Sequence, residues 1–174
     1  CNSKITMQYH TQEIDTTLHI PVDTVKTSQL NAQLCKTLTD REEGYCGKYG
    51  YVVPNTVRLL HRSLPKIISV DSRSFLEYKV SYSVKTIYPC KGDIFECKIQ
   101  SETKMGLMGY LDHKIHYEEP SIKNSPILFI IPQEMLQEID NARKKPGTSL
   151  KVEVLERRIK YRSQQIQVVA KISV

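Results

Sequence analysis

Apolar and polar residues alternate in several short stretches of the chain, which is the pattern of β-strands with one buried face. The first such stretch runs from residue 14 to Ile20, and the clearest is YKVSYSV at residues 78–84. Between them Leu30, Leu34 and Leu38 recur at every fourth position, which predicts a helix with a core-facing stripe. Asp23 or Thr24 is the expected cap of that helix. The first half of the chain is therefore expected to mix one helix with several strands.

A second series of short strands is predicted after residue 88. Its five segments are residues 95–99, 104–111, 127–131, 152–155 and 166–174. A short helix is predicted to begin at Pro132, between the third and fourth strands. Five strands with a helix in that place are the plan of an OB barrel. Pro89 and Gly92 interrupt the pattern, so we expect a boundary near residue 87 and two rigidly packed domains, 1–87 and 88–174.

The composition, with 40% apolar and 25% charged residues, is that of a folded, soluble protein. No apolar run approaches the roughly 20 residues of a membrane helix, and the first ten residues lack the apolar core of a signal peptide. The five cysteines are odd in number, and no two are separated by only two residues. This pattern argues against a disulfide framework or a zinc site. We expect an intracellular protein that binds no metal and no cofactor.

No set of residues has the spacing of a catalytic nucleophile and its base. The serines lie in polar turns, and none stands in a G-x-S-x-G elbow. Glu118 and Glu119 precede a proline and are expected in a solvated loop. An enzyme is therefore not expected, and a hydrolase of unfamiliar type is the least favoured alternative.

A glycine-rich segment, EEGYCGKYG at residues 42–50, contains three of the seven glycines, with tyrosines between them. A dinucleotide fingerprint requires G-x-G-x-x-G at the start of a helix, and this segment follows a helix instead. It is not a phosphate loop either, because Tyr49 follows Gly47-Lys48 where that motif needs Ser or Thr. Glycine allows close backbone approach, and tyrosine supplies rigid contact area. The composition favours a compact tip that inserts into a partner; the alternative is a simple turn before a strand.

A basic cluster lies near the end of the chain. Residues 143–162 carry eight basic and two acidic side chains. Their local charge of +6 is as large as the net charge of the whole chain. Its densest part consists of Arg157, Arg158, Lys160, Tyr161 and Arg162. It is predicted as a hairpin with Arg158, Lys160 and Arg162 at alternate positions, where cations neutralise phosphates and the ring stacks on an unpaired base. The alternatives are a solvated hairpin and contact with an acidic protein. Charge and one ring offer no reading code, so little sequence preference is expected.

Several segments together resemble the stalk subunit of multisubunit DNA-directed RNA polymerases, which is the seventh subunit of polymerase II and its archaeal and viral counterparts. The segments are EEGYCGKYGYVV, YKVSYSV, YPCKGDIFECKI, MGLMGYLD and the ending GTSLKVEVLERRIKYRSQQIQVVAKISV. The matching positions are Glu43, Gly44, Cys46, Tyr49, Gly50 and Tyr51 in the glycine segment, and Pro89, Gly92, Asp93 and Ile94 at the domain junction. The order of these segments spans nearly the whole chain, as in a divergent member of the family.

The resemblance implies an α+β protein in which a truncated RNP-like tip domain packs on a five-stranded OB barrel. Such a protein is not catalytic, and it acts in transcription inside the cell, in the nucleus, or in the cytoplasm or virion for a viral protein. The residues expected to dock on the polymerase core are Glu43, Gly44, Tyr45, Cys46, Gly47, Lys48, Tyr49 and Gly50. Those expected to contact nascent single-stranded RNA are Lys98, Lys104, Tyr110, Arg157, Arg158, Lys160, Tyr161 and Arg162.

Other partners and another class of protein stay open at this point. A second stalk subunit is compatible with the resemblance, and a membrane partner is not expected. The main alternative is a free-standing OB-fold protein that binds single-stranded RNA. Such a protein has no need for an exposed tip of glycine and tyrosine.

Overall fold

The computed structural model describes residues 9–115, 118–136 and 141–173. The chain is an α+β protein with one α-helix and eleven strands among these residues. The elements are β1 (His10–Pro21), α1 (Leu30–Glu42), β2 (Cys46–Gly47), β3 (Gly50–Val52), β4 (Arg58–Arg62), β5 (Lys66–Val70), β6 (Arg73–Ile87), β7 (Ile94–Thr103), β8 (Gly106–Leu111), β9 (Ile127–Pro132), β10 (Ser149–Arg158) and β11 (Ile166–Ile172). Short 3-10 turns occupy Val22–Thr24, Thr27–Gln29, Gln133–Met135 and Asn141–Lys144.

The chain divides into two compact units that do not follow a single cut in the sequence. The sheet unit consists of His10–Glu43 and Val52–Thr86. The barrel unit contains Gly44–Tyr51 and the described part of Ile87–Val174. One change of unit thus falls next to the boundary expected near residue 87. The glycine segment, however, groups with the barrel, although the sequence placed it in the first domain.

The sheet unit is organised around β6. Strand β1 pairs antiparallel with it along its whole length, from His10 opposite Thr86 to Pro21 opposite Phe75. Strands β4 and β5 also pair antiparallel with β6. The strands predicted from the alternation at residues 14–20 and 78–84 are therefore confirmed.

Helix α1 packs on one face of this sheet through its leucine stripe, as predicted. Leu34 and Leu38 are fully buried and share a core with Tyr78 and Tyr82 of β6. Burying a leucine side chain stabilises a fold by roughly 1.5–3 kcal/mol, so this stripe is the main attachment of the helix.

The start of the helix differs from the expectation of a cap at Asp23 or Thr24. The hydroxyl of Thr24 donates to the carbonyl of Pro21 (3.0 Å), and α1 begins only at Leu30. The side chain of Gln33 reaches back instead, donating to the carbonyl of Thr24 (2.9 Å) and accepting from the backbone N–H of Lys26 (3.0 Å). Two 3-10 turns, Val22–Thr24 and Thr27–Gln29, precede the helix, and Gln33 bonds to the residues that join them.

The barrel unit contains the predicted five strands, closed in the order β10-β11-β9-β8-β7. Strands β9 and β11 are parallel, while the other neighbours are antiparallel. This is an OB-like barrel. Its core is made of inward-facing apolar side chains, including Cys97, Ile99, Leu107, Leu111, Ile127, Phe129, Val152, Val154, Ile166 and Val168.

The helix predicted between the third and fourth barrel strands is not an α-helix in the described residues. Pro132 ends β9 and is followed by a 3-10 turn at Gln133–Met135, and a second turn covers Asn141–Lys144. The rest of the prediction, residues 137–140, lies outside the described residues.

Candidate nucleic-acid interface

The glycine segment forms a small hairpin of β2 and β3. Cys46 lies opposite Tyr51 and Gly47 opposite Gly50, so Lys48 and Tyr49 form a two-residue turn. Cys46, Gly50 and Tyr51 are buried, and the two turn residues are exposed. The ammonium of Lys48 lies 5.5 Å from the centroid of the Tyr49 ring. Of the predicted docking residues, this turn therefore offers the most surface to a partner.

The three glycines of this segment have different roles. Gly50 has a φ of +105°, and a Cβ atom there would overlap the carbonyl oxygen of Ile87. Gly44 has a φ of +81° but open space around it. Gly47 has neither constraint, since a Cβ atom there would meet nothing within 4 Å. Only Gly50 is thus required by both conformation and packing.

The basic cluster lies mainly in the loop between β10 and β11, which we call the basic loop (residues 159–165). The last two strands form the predicted antiparallel hairpin, but the expected alternation of Arg158, Lys160 and Arg162 along it is wrong. Strand β10 ends at Arg158, and Arg162 adopts a left-handed φ of +65°. The N–H of Ser163 donates to the carbonyl of Lys160 (3.0 Å) and closes a turn. Lys160, Tyr161 and Arg162 are exposed at this turn, with Tyr161 75% exposed.

The glycine segment and the basic loop are bonded to each other. The N–H of Cys46 donates to the carbonyl of Ser163 (2.7 Å), and the N–H of Arg162 donates to the carbonyl of Cys46 (2.9 Å). The guanidinium of Arg162 lies 4.3 Å from the centroid of the Tyr45 ring, a cation–π contact. Residues that the sequence assigned to two separate sites therefore lie side by side in one unit.

Two buried side chains at this junction have raised pKa values. Burial raises the pKa of the Cys46 thiol, although a hydrogen bond with Ser163 acts in the opposite direction. Burial raises the pKa of Tyr51 to about 12, and the neighbouring Cys46 contributes in the same direction. Both side chains are therefore protonated and act as packing groups, not as reactive ones.

Arg157 and Arg158 are adjacent in sequence but differ in their surroundings. Arg157 is half-buried, and its guanidinium lies 4.0 Å from the centroid of the Tyr88 ring. It donates to the hydroxyl of Tyr88 and to the carbonyl of Pro89 (3.0 Å). Arg158 is exposed at the end of β10. Arg157 therefore holds the segment that enters the barrel, whereas Arg158 faces solvent.

The strand registers bring three of the residues predicted to contact RNA, Lys98, Tyr110 and Arg158, into one outward-facing row. Lys98 lies opposite Tyr110 and Tyr110 opposite Leu128, which is followed across the sheet by Gln167 and then Arg158. Their neighbours along each strand, such as Ile99, Phe129 and Val168, are buried inside. Since side chains alternate along a strand, this row lies on the outside of the barrel and follows its curvature.

The middle of this row belongs to a surface that we call the outer face. It consists of the outward side chains of β8, β9 and β11: Met108, Tyr110, Leu128, Ile130, Gln167 and Val169. Lys98 and Arg158 flank it on the neighbouring strands. The basic loop leads into the β11 end of the face, and the turn with the exposed Lys104 lies at the opposite end of β8. The registers do not place Lys104 in the row itself.

Leu128 and Gln167 were missed by the sequence analysis. Neither residue type points to nucleic acid by itself, since leucine is common in cores and glutamine on surfaces. The signal that would find them is their position next to Phe129 and Val168, once the alternation is assigned to a closed barrel.

Comparison with known proteins identifies no relative of this chain, and the structure shows no metal site or membrane-spanning helix among its described residues. No protein-family model matches the chain, and no curated protein matches it. Within residues 9–115, 118–136 and 141–173, no group of three or more His, Cys, Asp and Glu side chains is placed to hold a metal ion. In the same part of the chain, no helix has the length and apolar character needed to span a membrane. The family resemblance of the sequence motifs stays a prediction.

We predict that Gly50→Ala destabilises the barrel unit and that Gly47→Ala does not. A Cβ atom at position 50 adds both a left-handed strain and an overlap with backbone, which together cost about 2 kcal/mol or more. The free energy of unfolding, measured by urea denaturation, tests this. Equal effects of the two substitutions would contradict the packing described for Gly50.

We also predict different effects at the two adjacent arginines. Arg157→Ala removes two hydrogen bonds from a charged group and a ring contact, so the free energy of unfolding falls by about 2 kcal/mol. Arg158→Ala changes it by no more than about 0.5 kcal/mol, because the side chain is at the surface. Urea denaturation of both variants gives the comparison, and a destabilisation confined to Arg158→Ala would refute the assignment.

Proposed function

We propose that this chain is a non-catalytic stalk subunit of a DNA-directed RNA polymerase that contacts nascent single-stranded RNA through its barrel unit. The observation that carries the RNA-binding part is the outer face of an OB-like barrel, flanked by Lys98 and Arg158 and continued by the basic loop. The motif resemblance over nearly the whole chain supports the polymerase part. In this proposal the sheet unit is the truncated RNP-like tip domain, and the protein acts inside the cell at the site of transcription.

The chemistry of the outer face suits a single strand. Tyr110 offers a ring on which a base stacks, and the aliphatic side chains beside it offer apolar surface. Lys98 and Arg158, on the flanking strands, are placed to neutralise phosphates. OB barrels bind oligonucleotides on this part of the barrel and with the loops at its ends, which here carry Lys104 and the basic loop. Arg157 takes no part in this proposal, because its guanidinium is bound to Tyr88 and Pro89.

The glycine segment supports docking on the polymerase core. Its turn presents Lys48 and Tyr49, and Gly47 beside it leaves space for a close approach of another backbone. Because Cys46 is bonded to the basic loop, docking at this turn would hold the loop close to the core. In this proposal a second stalk subunit, where one is present, binds to the sheet unit.

A free-standing RNA-binding OB protein is the second candidate, and one observation favours it. Cys46, Gly50 and Tyr51 are buried, and the segment is bonded to the basic loop. Packing and hydrogen bonding within the barrel unit therefore explain much of the glycine segment without a docking role. This candidate predicts the same RNA surface but no polymerase partner.

The RNA surface is tested by the salt dependence of binding. The double variant Arg158→Ala/Lys160→Ala removes two exposed cations, and each phosphate contact contributes about 0.7 to the slope of log K against log salt for a single strand. We expect weaker binding of a labelled RNA of about 12 nucleotides and a slope reduced by about 1.4, measured by fluorescence anisotropy. Lys26→Ala/Lys66→Ala makes the same change of charge on the sheet unit and should leave the slope unchanged. An unaltered slope in the first variant would refute this surface.

The stalk role is tested by purifying the tagged chain from its native source and identifying its partners by mass spectrometry. We expect large polymerase subunits in near-equal amounts after nuclease treatment. Gly47→Phe should abolish their recovery without lowering the melting temperature, because the position has space for a side chain. Lys66→Ala, at an exposed position of the sheet unit, is the control. Recovery of RNA or ribosomal components alone, lost on nuclease treatment, would favour the free-standing protein.

A further inference from the structure

A shallow cavity of about 380 Å³ lies beside the basic loop in the barrel unit. Its lining consists of Ile122, Lys123, Ser163, Gln164, Gln165 and Gln167. Three of the six side chains are thus primary amides, and Lys123 is the single charged group among them. The volume falls in the lower part of the range of roughly 300–1,000 Å³ that is usual for small-molecule sites.

The wall of this cavity is held in place by hydrogen bonds. The amide nitrogen of Gln165 donates to the carbonyls of Ile122 (2.6 Å) and Ser125 (3.1 Å), which ties the basic loop to the segment before β9. The hydroxyl of Ser163 bonds to the carbonyls of Lys160 (2.7 Å) and Gln165 (3.0 Å). A site ordered in this way loses less conformational entropy when it binds a ligand.

The cavity adjoins the surface proposed for RNA. Gln167 lies in the outer row, opposite both Leu128 and Arg158, and it also lines the cavity. The exposed ring of Tyr161 belongs to the same loop as Gln164 and Gln165. A single RNA strand that crosses the outer face toward the basic loop therefore reaches the cavity.

We propose that this cavity binds one base of the RNA strand and gives the protein a preference for a base with an exocyclic amino group, adenine above uracil. The proposal rests on the RNA binding proposed above and adds a base-reading site to it. Side-chain amides pair with base edges, and glutamine pairs with the amino and ring nitrogens of adenine in a bidentate manner. Both amide hydrogens of Gln165 are used, so its oxygen is left as an acceptor for an amino group, and the exposed Gln164 and Gln167 supply the bidentate pairing.

Two other kinds of ligand fit the lining less well. A phosphate is bound most strongly by several cations or a row of backbone N–H groups, and Lys123 alone supplies the charge here. An apolar ligand would cover the exposed amides of Gln164 and Gln167 without giving them hydrogen-bond partners. The expectation of little sequence preference came from the basic cluster alone, which contains charge and one ring but omits the glutamines that follow it.

The test compares a labelled uracil oligomer of about nine nucleotides with the same oligomer carrying one central adenine. We expect the full chain to bind the second about fivefold or more tightly, the lower end of the discrimination of a bidentate amide–base pair. In Gln164→Ala/Gln167→Ala this ratio should fall to about one, and because both oligomers are measured on the same variant, the ratio is separate from any loss of general RNA affinity caused by Gln167 on the outer face. Gln100→Ala/Gln133→Ala removes two exposed glutamines elsewhere in the barrel unit and should keep the full ratio.

Each other outcome identifies what has failed. Equal affinity of the wild-type chain for the two oligomers would overturn the base-reading site and leave RNA binding intact. A preference that persists in Gln164→Ala/Gln167→Ala would overturn the site as well, since the base would then be read elsewhere. Failure to bind either oligomer would overturn the RNA-binding function together with this site, while the stalk role is decided separately by the purified partners.

Discussion

The candidate interface depends on two backbone hydrogen bonds that join Cys46 to Ser163 and Arg162. The residues lie far apart in sequence, and both segments are too short or too irregular to satisfy their own backbone groups. Burial of Cys46 makes these bonds more necessary, since an unpaired polar group without water costs about 1–3 kcal/mol. The conformation of the glycine segment and that of the basic loop therefore depend on each other. A substitution in one segment that breaks these bonds is therefore expected to alter the conformation of the other segment as well.

The strands were predictable where burial on one face imposes a period of two. This holds for β1, β6 and the five barrel strands, because each has a core side and a solvent side. The pattern does not contain the pairing partner, so it could not show that Gly44–Tyr51 group with the barrel. It also gave the same weight to Arg157 and Arg158. A bulge in β10 between Val154 and Glu156 shifts the register of the strand. Arg157, which follows this bulge, contacts Tyr88.

The even spacing of the three glycines turned out to have no single cause. Gly50 is needed because the backbone at Ile87 leaves no room, and Gly44 because its φ is positive. Gly47 answers to neither requirement and is therefore the position most open to a functional explanation. The basic cluster was found from charge, which is visible in sequence. Leu128 and Gln167 were not, because their importance comes from the neighbours that β9 and β11 bring together.

The parallel pairing of β9 and β11 has a consequence for the order in which the chain folds. Strand β11 closes the barrel between β9 and β10, and the loop before it supplies the partners of Cys46. The ribosome releases the glycine segment long before that loop. During synthesis we therefore expect the sheet unit to assemble while Cys46 still lacks its bonds to the basic loop, and barrel closure to be slow because its contacts are distant in sequence.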